Sequence, residues 1–117
     1  MFEIKGGMDM INEKLRNELS DQLMAAVLHL RDTEESYAFF EDICTVAELK
    51  AMAQRLEVAS MLRRGNTYDA IVERTGASTA TISRVKRCLD YGADGYTVVL
   101  TRMTEEKRAT GAKHGKK

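Results

Sequence analysis

The 117-residue sequence has no proline, so nothing in it forces a kinked helix or a rigid turn. Aromatic residues are few, and Leu, Ala, Met, Glu, Arg and Lys dominate, a composition that suits an all-helical protein. The two cysteines, Cys44 and Cys88, stand alone without CxxC spacing, which excludes a zinc knuckle or a disulfide framework. Both fall on helix faces expected to be buried, as small core residues. No apolar run is long enough to cross a bilayer, and the leading MFEIKGG has no signal-peptide core. The expected setting is therefore the cytoplasm, with no membrane partner. There is no Gly-rich phosphate loop, no Ser/His/Asp or Cys/His pairing that helices would bring together, and no metal-ligand spacing. The paired acids Glu34-Glu35 and Glu105-Glu106 are adjacent in sequence and so point to different parts of a helix surface. Neither catalysis nor a cofactor is expected.

Net charge is also lacking, with 18 basic and 18 acidic residues, but the balance conceals a polarity. Residues 1–57 carry 6 Lys/Arg against 12 Asp/Glu, whereas residues 58–90 and 91–117 each carry 6 against 3. A chain that is −6 in its first half and +6 in its second has one half suited to a polyanion. The competing account is that the charges only solvate exposed helix faces.

Along the chain, residues 1–8 are expected to be loose, because Gly6-Gly7 breaks any helix there. From Asp9 to about Leu30 an amphipathic helix is expected, with Ile11, Leu15, Leu19, Leu23 and Val27 recurring at i+4. Asp32 is placed to cap a second helix, with Glu35 reaching back to it; this helix carries Tyr37, Phe39, Phe40 and Ile43. Thr45-Val46-Ala47-Glu48 is a capping box opening a third helix with Leu49, Met52, Leu56, Ala59 and Leu62 on one face. Arg63, Arg64 and Gly65 close it. Tyr96–Met103 is rich in β-branched residues, yet an otherwise helical chain offers it no sheet, so a last helix is expected. Residues 107–117 are basic and poor in apolar groups and are expected to be a disordered tail. The whole of 9–106 forms a single helical domain of five to six helices.

The most informative stretch is Tyr68–Leu89, YDAIVERTGASTATISRVKRCL, which has the form of two short helices joined by a tight turn. Thr67 caps the first, whose apolar face is Ile71 and Val72; Thr75-Gly76-Ala77 is the break, with Gly76 where the backbone must reverse. Ser78 caps the second, whose inward positions are Ile82, Val85 and Leu89. Its outward face is Thr79, Ala80, Ser83, Arg84, Lys86 and Arg87. Short polar groups at the helix start and cations further along are what a helix entering the DNA major groove needs. Residues 67–90 are thus expected to be a helix-turn-helix, although two amphipathic helices around a glycine occur in many helical domains.

A first helix of some twenty residues would be about 30 Å long, with more apolar surface than a chain of this size covers by itself. Pairing of two copies is the economical solution, and it supplies the two-fold symmetry with which helix-turn-helix proteins read two half-sites. A homodimer is expected; the rival is a monomer with this face folded onto the third helix.

Thr45 to Leu89 resembles the core of the Trp repressor family. The shared residues are the helix-opening Thr45, Gln54-Arg55-Leu56-Glu57, Leu62-Arg63-Arg64-Gly65, the Thr-Gly-Ala turn, and Ala80-Thr81-Ile82-Ser83-Arg84. The ending Arg87-Cys88-Leu89-Asp90-Tyr91-Gly92 with Asp94-Gly95-Tyr96 resembles the Trp-repressor-related branch of the YerC/YecD type. The resemblance implies an all-helical, intertwined dimer that binds operator DNA. It places Thr79, Ala80 and Ser83 at the bases and Ser78 at phosphate, with Thr67, Tyr68, Thr81, Arg84, Lys86 and Arg87 completing the DNA-facing set. It also implies a ligand site at Thr45, Arg55, Thr81, Arg84 and Cys88. Tryptophan is disfavoured as effector, because Val85 stands where the tryptophan sensor has glycine and Cys88 where it has serine. The pocket then takes something smaller, or no ligand is needed. Arg84 has a structural alternative, an ion pair with Glu57. The function expected is sequence-specific, repressor-like transcription regulation on a double-stranded operator; the alternative is a helix-turn-helix scaffold used to bind protein.

Overall fold

The computed structural model describes residues 11–114, and all the regular structure among them is helical. A 3-10 turn at Glu13–Leu15 precedes α1 (Glu18–Leu28), α2 (Thr33–Ile43), α3 (Val46–Arg63), α4 (Tyr68–Thr75), α5 (Thr79–Tyr91) and α6 (Gly95–His114). The all-helical expectation and the helix count hold.

Most helix starts are fixed by a single side chain accepting from an orphan amide two or three residues on. Asp32 accepts from the Glu35 amide at 2.9 Å, Thr67 from Ala70 at 3.1 Å and Ser78 from Thr81 at 3.1 Å. Thr45 and Glu48 form the reciprocal capping box, at 3.0 and 2.8 Å. Glu35 departs slightly from expectation: its carboxylate accepts from the Arg31 amide at 2.9 Å, one residue before the cap.

The first helix is shorter than its apolar stripe. Asn12 accepts from the Lys14 amide and Asn17 from Ser20, both at 2.8 Å, and Asn17 is fully extended, with φ −158° and ψ 175°. Asparagine in these positions starts a helix rather than continuing one, so the chain breaks before Glu18 although the leucines keep their register across the break. At the other end, α6 continues to His114, where a disordered tail was expected from residue 107. Glu105, Glu106, Lys107, Arg108 and Ala109 are strong helix formers and extend a helix without any core contact. The expected loose segment at 1–8 lies outside the described residues.

The packing has one hub. The helices α2, α4, α5 and α6 all pack on α3, and α4 also packs on α5. The buried core is Val58, Ala59 and Met61 of α3, Ile71 of α4, Ala77 of the turn, Ile82 and Val85 of α5, and Leu100 of α6. Leu56, Leu62, Tyr68, Leu89 and Tyr96 close over it. Fully burying an aliphatic chain such as Ile71 or Ile82 contributes about 1.5–3 kcal/mol, so this cluster holds the second half of the molecule together. Tyr96 and Leu100, four apart, turn the β-branched segment 96–103 into a helix by docking on α3 rather than on a sheet.

Two expectations about faces fail here. Val72, paired with Ile71 in the sequence pattern, is exposed, because α3 and α5 cover only the Ile71 side of α4. Cys88 is exposed rather than buried, one position off the inward stripe of Val85 and Leu89, while Cys44 is half-buried. Among the described residues, α1 and α2 bury no side chain at all.

Candidate nucleic-acid interface

The helix-turn-helix is built around the turn at Thr75–Ala77. Thr75 Oγ1 donates to the Ile71 carbonyl at 2.7 Å and accepts from the Ala77 amide at 3.0 Å, so one hydroxyl ties the last turn of α4 to the turn that follows it. Gln54 of α3 donates to the Thr75 carbonyl at 3.1 Å, satisfying a helix-end acceptor from a neighbouring helix. Gly76 sits at φ 75°, the left-handed conformation a helix C-cap favours, and its amide returns to the Val72 carbonyl at 2.8 Å. Ala77 then plugs into the core. These contacts fix the angle between α4 and α5.

From that mount, α5 turns Ile82, Val85 and half-buried Leu89 inward and leaves Thr79, Ala80, Ser83, Arg84, Lys86 and Arg87 exposed. The six expected contact positions therefore share one solvent-facing surface. Ser78, exposed at the helix start, is already engaged: its hydroxyl also donates to Thr81 Oγ1 at 3.1 Å. Thr81 is half-buried against that cap, and Tyr68 is half-buried on the core, so these two stand back from the surface formed by the rest. Thr67 is exposed but holds the start of α4.

The charges on this surface are unevenly free. Glu57 bridges Arg64 at 3.5 Å and Arg74 at 3.6 Å, which joins α3 to α4, so the carboxylate considered as a partner for Arg84 is taken by two other arginines. Arg84 makes no ion pair among the described residues. Lys86 Nζ donates to Asp90 Oδ2 at 3.1 Å, one turn further along α5. The hydrogen bond to Asp90, and then its charge, push the Lys86 pKa above the ordinary lysine value. A raised lysine pKa means that its proton, and the pairing it supports, are fully present at neutral pH and are lost only as pH rises through that raised value.

The residues expected to hold a small ligand are dispersed in the single chain. Arg55 lines an apolar groove of about 610 Å³ with Leu23, Val27, Phe40 and Met52; Thr45 lines a second hollow beside Tyr37 and Leu49; Cys88 lines a third with Leu56, Tyr96 and Val99. Arg84 and Thr81 line none of these three. Val85 is 1% exposed and fills core space between α5 and its neighbours. Among the described residues no cluster of His, Cys, Asp or Glu could hold a metal ion, and no helix is long and apolar enough to cross a membrane.

Several contacts here were missed from sequence, the Glu57 bridges among them. The Lys86–Asp90 pair has an i,i+4 signal that could have been found. The Gln54 brace joins residues 21 apart, and nothing local announces it.

The model of the family described as Trp repressor protein matches residues 18–104. An uncharacterized protein, YerC of Bacillus subtilis (strain 168), is 55% identical over 101 residues, which is 86% of this chain and 97% of YerC. The crystal structure of a TrpR-like protein from Eubacterium eligens ATCC 27750 superposes with a TM-score of 0.77 at 54% identity, covering 80% of this chain and 96% of that one. A second crystal structure, from Staphylococcus aureus, gives a TM-score of 0.76 at 53% identity, over 79% and 92% of the two chains.

Proposed function

The chain belongs to the Trp repressor family, and from that premise we propose that it is a sequence-specific transcriptional regulator. It binds a two-fold operator as a homodimer through Ser78–Arg87. The observation that carries this reading is the exposed face of α5, where Thr79, Ala80 and Ser83 precede Arg84, Lys86 and Arg87 with no acid before Asp90. Small groups at the helix start suit contact with base edges; the cations suit phosphates on either side and supply salt-dependent affinity. Ser78, committed to Thr81, serves phosphate chiefly by keeping the first amides of α5 ordered and pointing outward.

The dimer is supported by what the single chain leaves uncovered. Leu19 is 77% exposed, Leu28 84% and Tyr37 64%, on two helices that bury nothing. A second copy covering this surface also places two α5 helices for two half-sites. The helix is shorter than the sequence pattern predicts, yet the uncovered stripe remains. The regulator acts without catalysis, on cytoplasmic DNA, and its effector, where one is used, is not expected to be tryptophan, because Val85 and Cys88 stand where the tryptophan sensor has glycine and serine.

Selection of duplexes from a random DNA pool at near-physiological salt tests the function directly. A two-fold-symmetric motif is the expected result. Folded protein that enriches no sequence would replace this reading with that of a protein-binding scaffold, whose affinity would be insensitive to salt.

A further inference from the structure

We infer that Asp90 is an internal stand-in for a DNA phosphate: in the free protein its carboxylate holds the Lys86 ammonium that the DNA backbone would otherwise take. The inference rests on the DNA-binding role proposed above and assigns a positioning residue to it.

Three observations lead here. Asp90 lies on the DNA-facing stripe, since Thr79, Ser83, Lys86 and Asp90 follow one another at spacings of four, three and four on α5. Its carboxylate is 3.1 Å from Lys86 Nζ, with both side chains about half exposed. The pair is also badly placed for stability. An acid in the last turn of a helix opposes the helix dipole, and lysine preceding the acid is the weaker order for an i,i+4 pair. Exposed pairs of this kind add little to folding even in the better order. Arg84 and Arg87, on the same helix, have no such partner among the described residues. Tyr68 and Tyr91 are the other titratable groups that act on Lys86, and neither offers a carboxylate.

Engaging a phosphate therefore requires Lys86 to leave Asp90, and it brings an uncompensated carboxylate toward the DNA backbone. Both effects apply to any sequence. They lower general backbone affinity without touching Thr79, about 16 Å from Asp90 at the other end of the stripe.

Affinity of the full chain for a random-sequence 30-base-pair duplex, measured by fluorescence anisotropy between 50 and 200 mM NaCl, tests this. Asp90→Asn is expected to bind about five- to tenfold tighter at 0.1 M salt, with log affinity against log salt steeper by about 0.9, one added phosphate contact. In a Lys86→Met background, where only the repulsion between Asp90 and phosphate is left to relieve, the same substitution is expected to tighten binding no more than about twofold. Equal tightening in both backgrounds would show that Asp90 acts by its own charge and not through Lys86, which overturns the inference. So would unchanged binding by Asp90→Asn when the wild type binds with a normal salt slope. Absence of salt-dependent binding by the wild type would sink the DNA-binding role itself, and this inference with it. Circular dichroism and thermal melting of each variant check that the helical fold is retained.

Discussion

The two halves of this molecule treat their apolar residues in opposite ways. From Val58 onward, α3, α4, α5 and α6 interlock around a core whose central members, Val58, Ala59, Ile71 and Ile82, have no exposure at all. Among the described residues before Val58 none is buried, although Leu15, Leu19, Leu23, Met24, Leu28 and Ile43 are as apolar as anything in the core. Hydrophobicity alone does not separate the halves; available neighbours do. The second half packs on itself as a head, and the first half is an arm that the single chain leaves largely uncovered. The charge follows the same division, with the acidic half forming the arm and the basic half the head.

The sharpest way to break this comparison is to remove a core side chain. Ile82→Ala should cost about 3–4 kcal/mol of stability in urea unfolding, since the site is walled by α3 and α4 and cannot collapse freely. The arm should respond differently. Wild-type protein should sediment at twice its 13.1 kDa chain mass, and the pair Leu19→Glu with Leu28→Glu should raise the dimer dissociation constant more than about a hundredfold while the head stays folded. A double variant that remains dimeric would put the interface elsewhere. Arg84→Ala should weaken DNA binding about tenfold with no change in melting temperature, because its side chain is exposed and makes no ion pair among the described residues. The smallest effect belongs to the start of the helix that joins the halves: Thr45→Ala should cost about 1 kcal/mol in thermal unfolding, the usual worth of an N-cap.

Local chemistry was legible from the sequence, and remote chemistry was not. Thr45, Thr67 and Ser78 could be identified as caps because a cap involves only residues within one turn of each other. Gly76 could be placed for the same reason. The break at Asn17 was hidden, since the leucine ladder runs on at helical spacing across a residue that in fact starts a new helix. Val72 and Cys88 were misplaced because inward and outward differ by one position when a helix is covered on one side only. The exposed face of α5 was legible from its pattern of small and basic residues. Its restraints were not: Gln54, Arg64 and Arg74 act through partners distant in sequence.

The position of α3 carries a mechanical consequence. At 18 residues it is a beam about 27 Å long. Its first turn, at Val46, lies in the arm, and its last turns are clamped to α4, α5 and α6. A tilt of about three degrees at the arm end moves the clamped end by about 1.4 Å over that length. Because Ile82 and Val85 pack α5 directly into the core with Val58 and Ala59 of the beam, α5 moves with it. Two such beams meeting at their arms would act as the legs of a pair of dividers, so that whatever wedges or relaxes the arms resets the distance between the points.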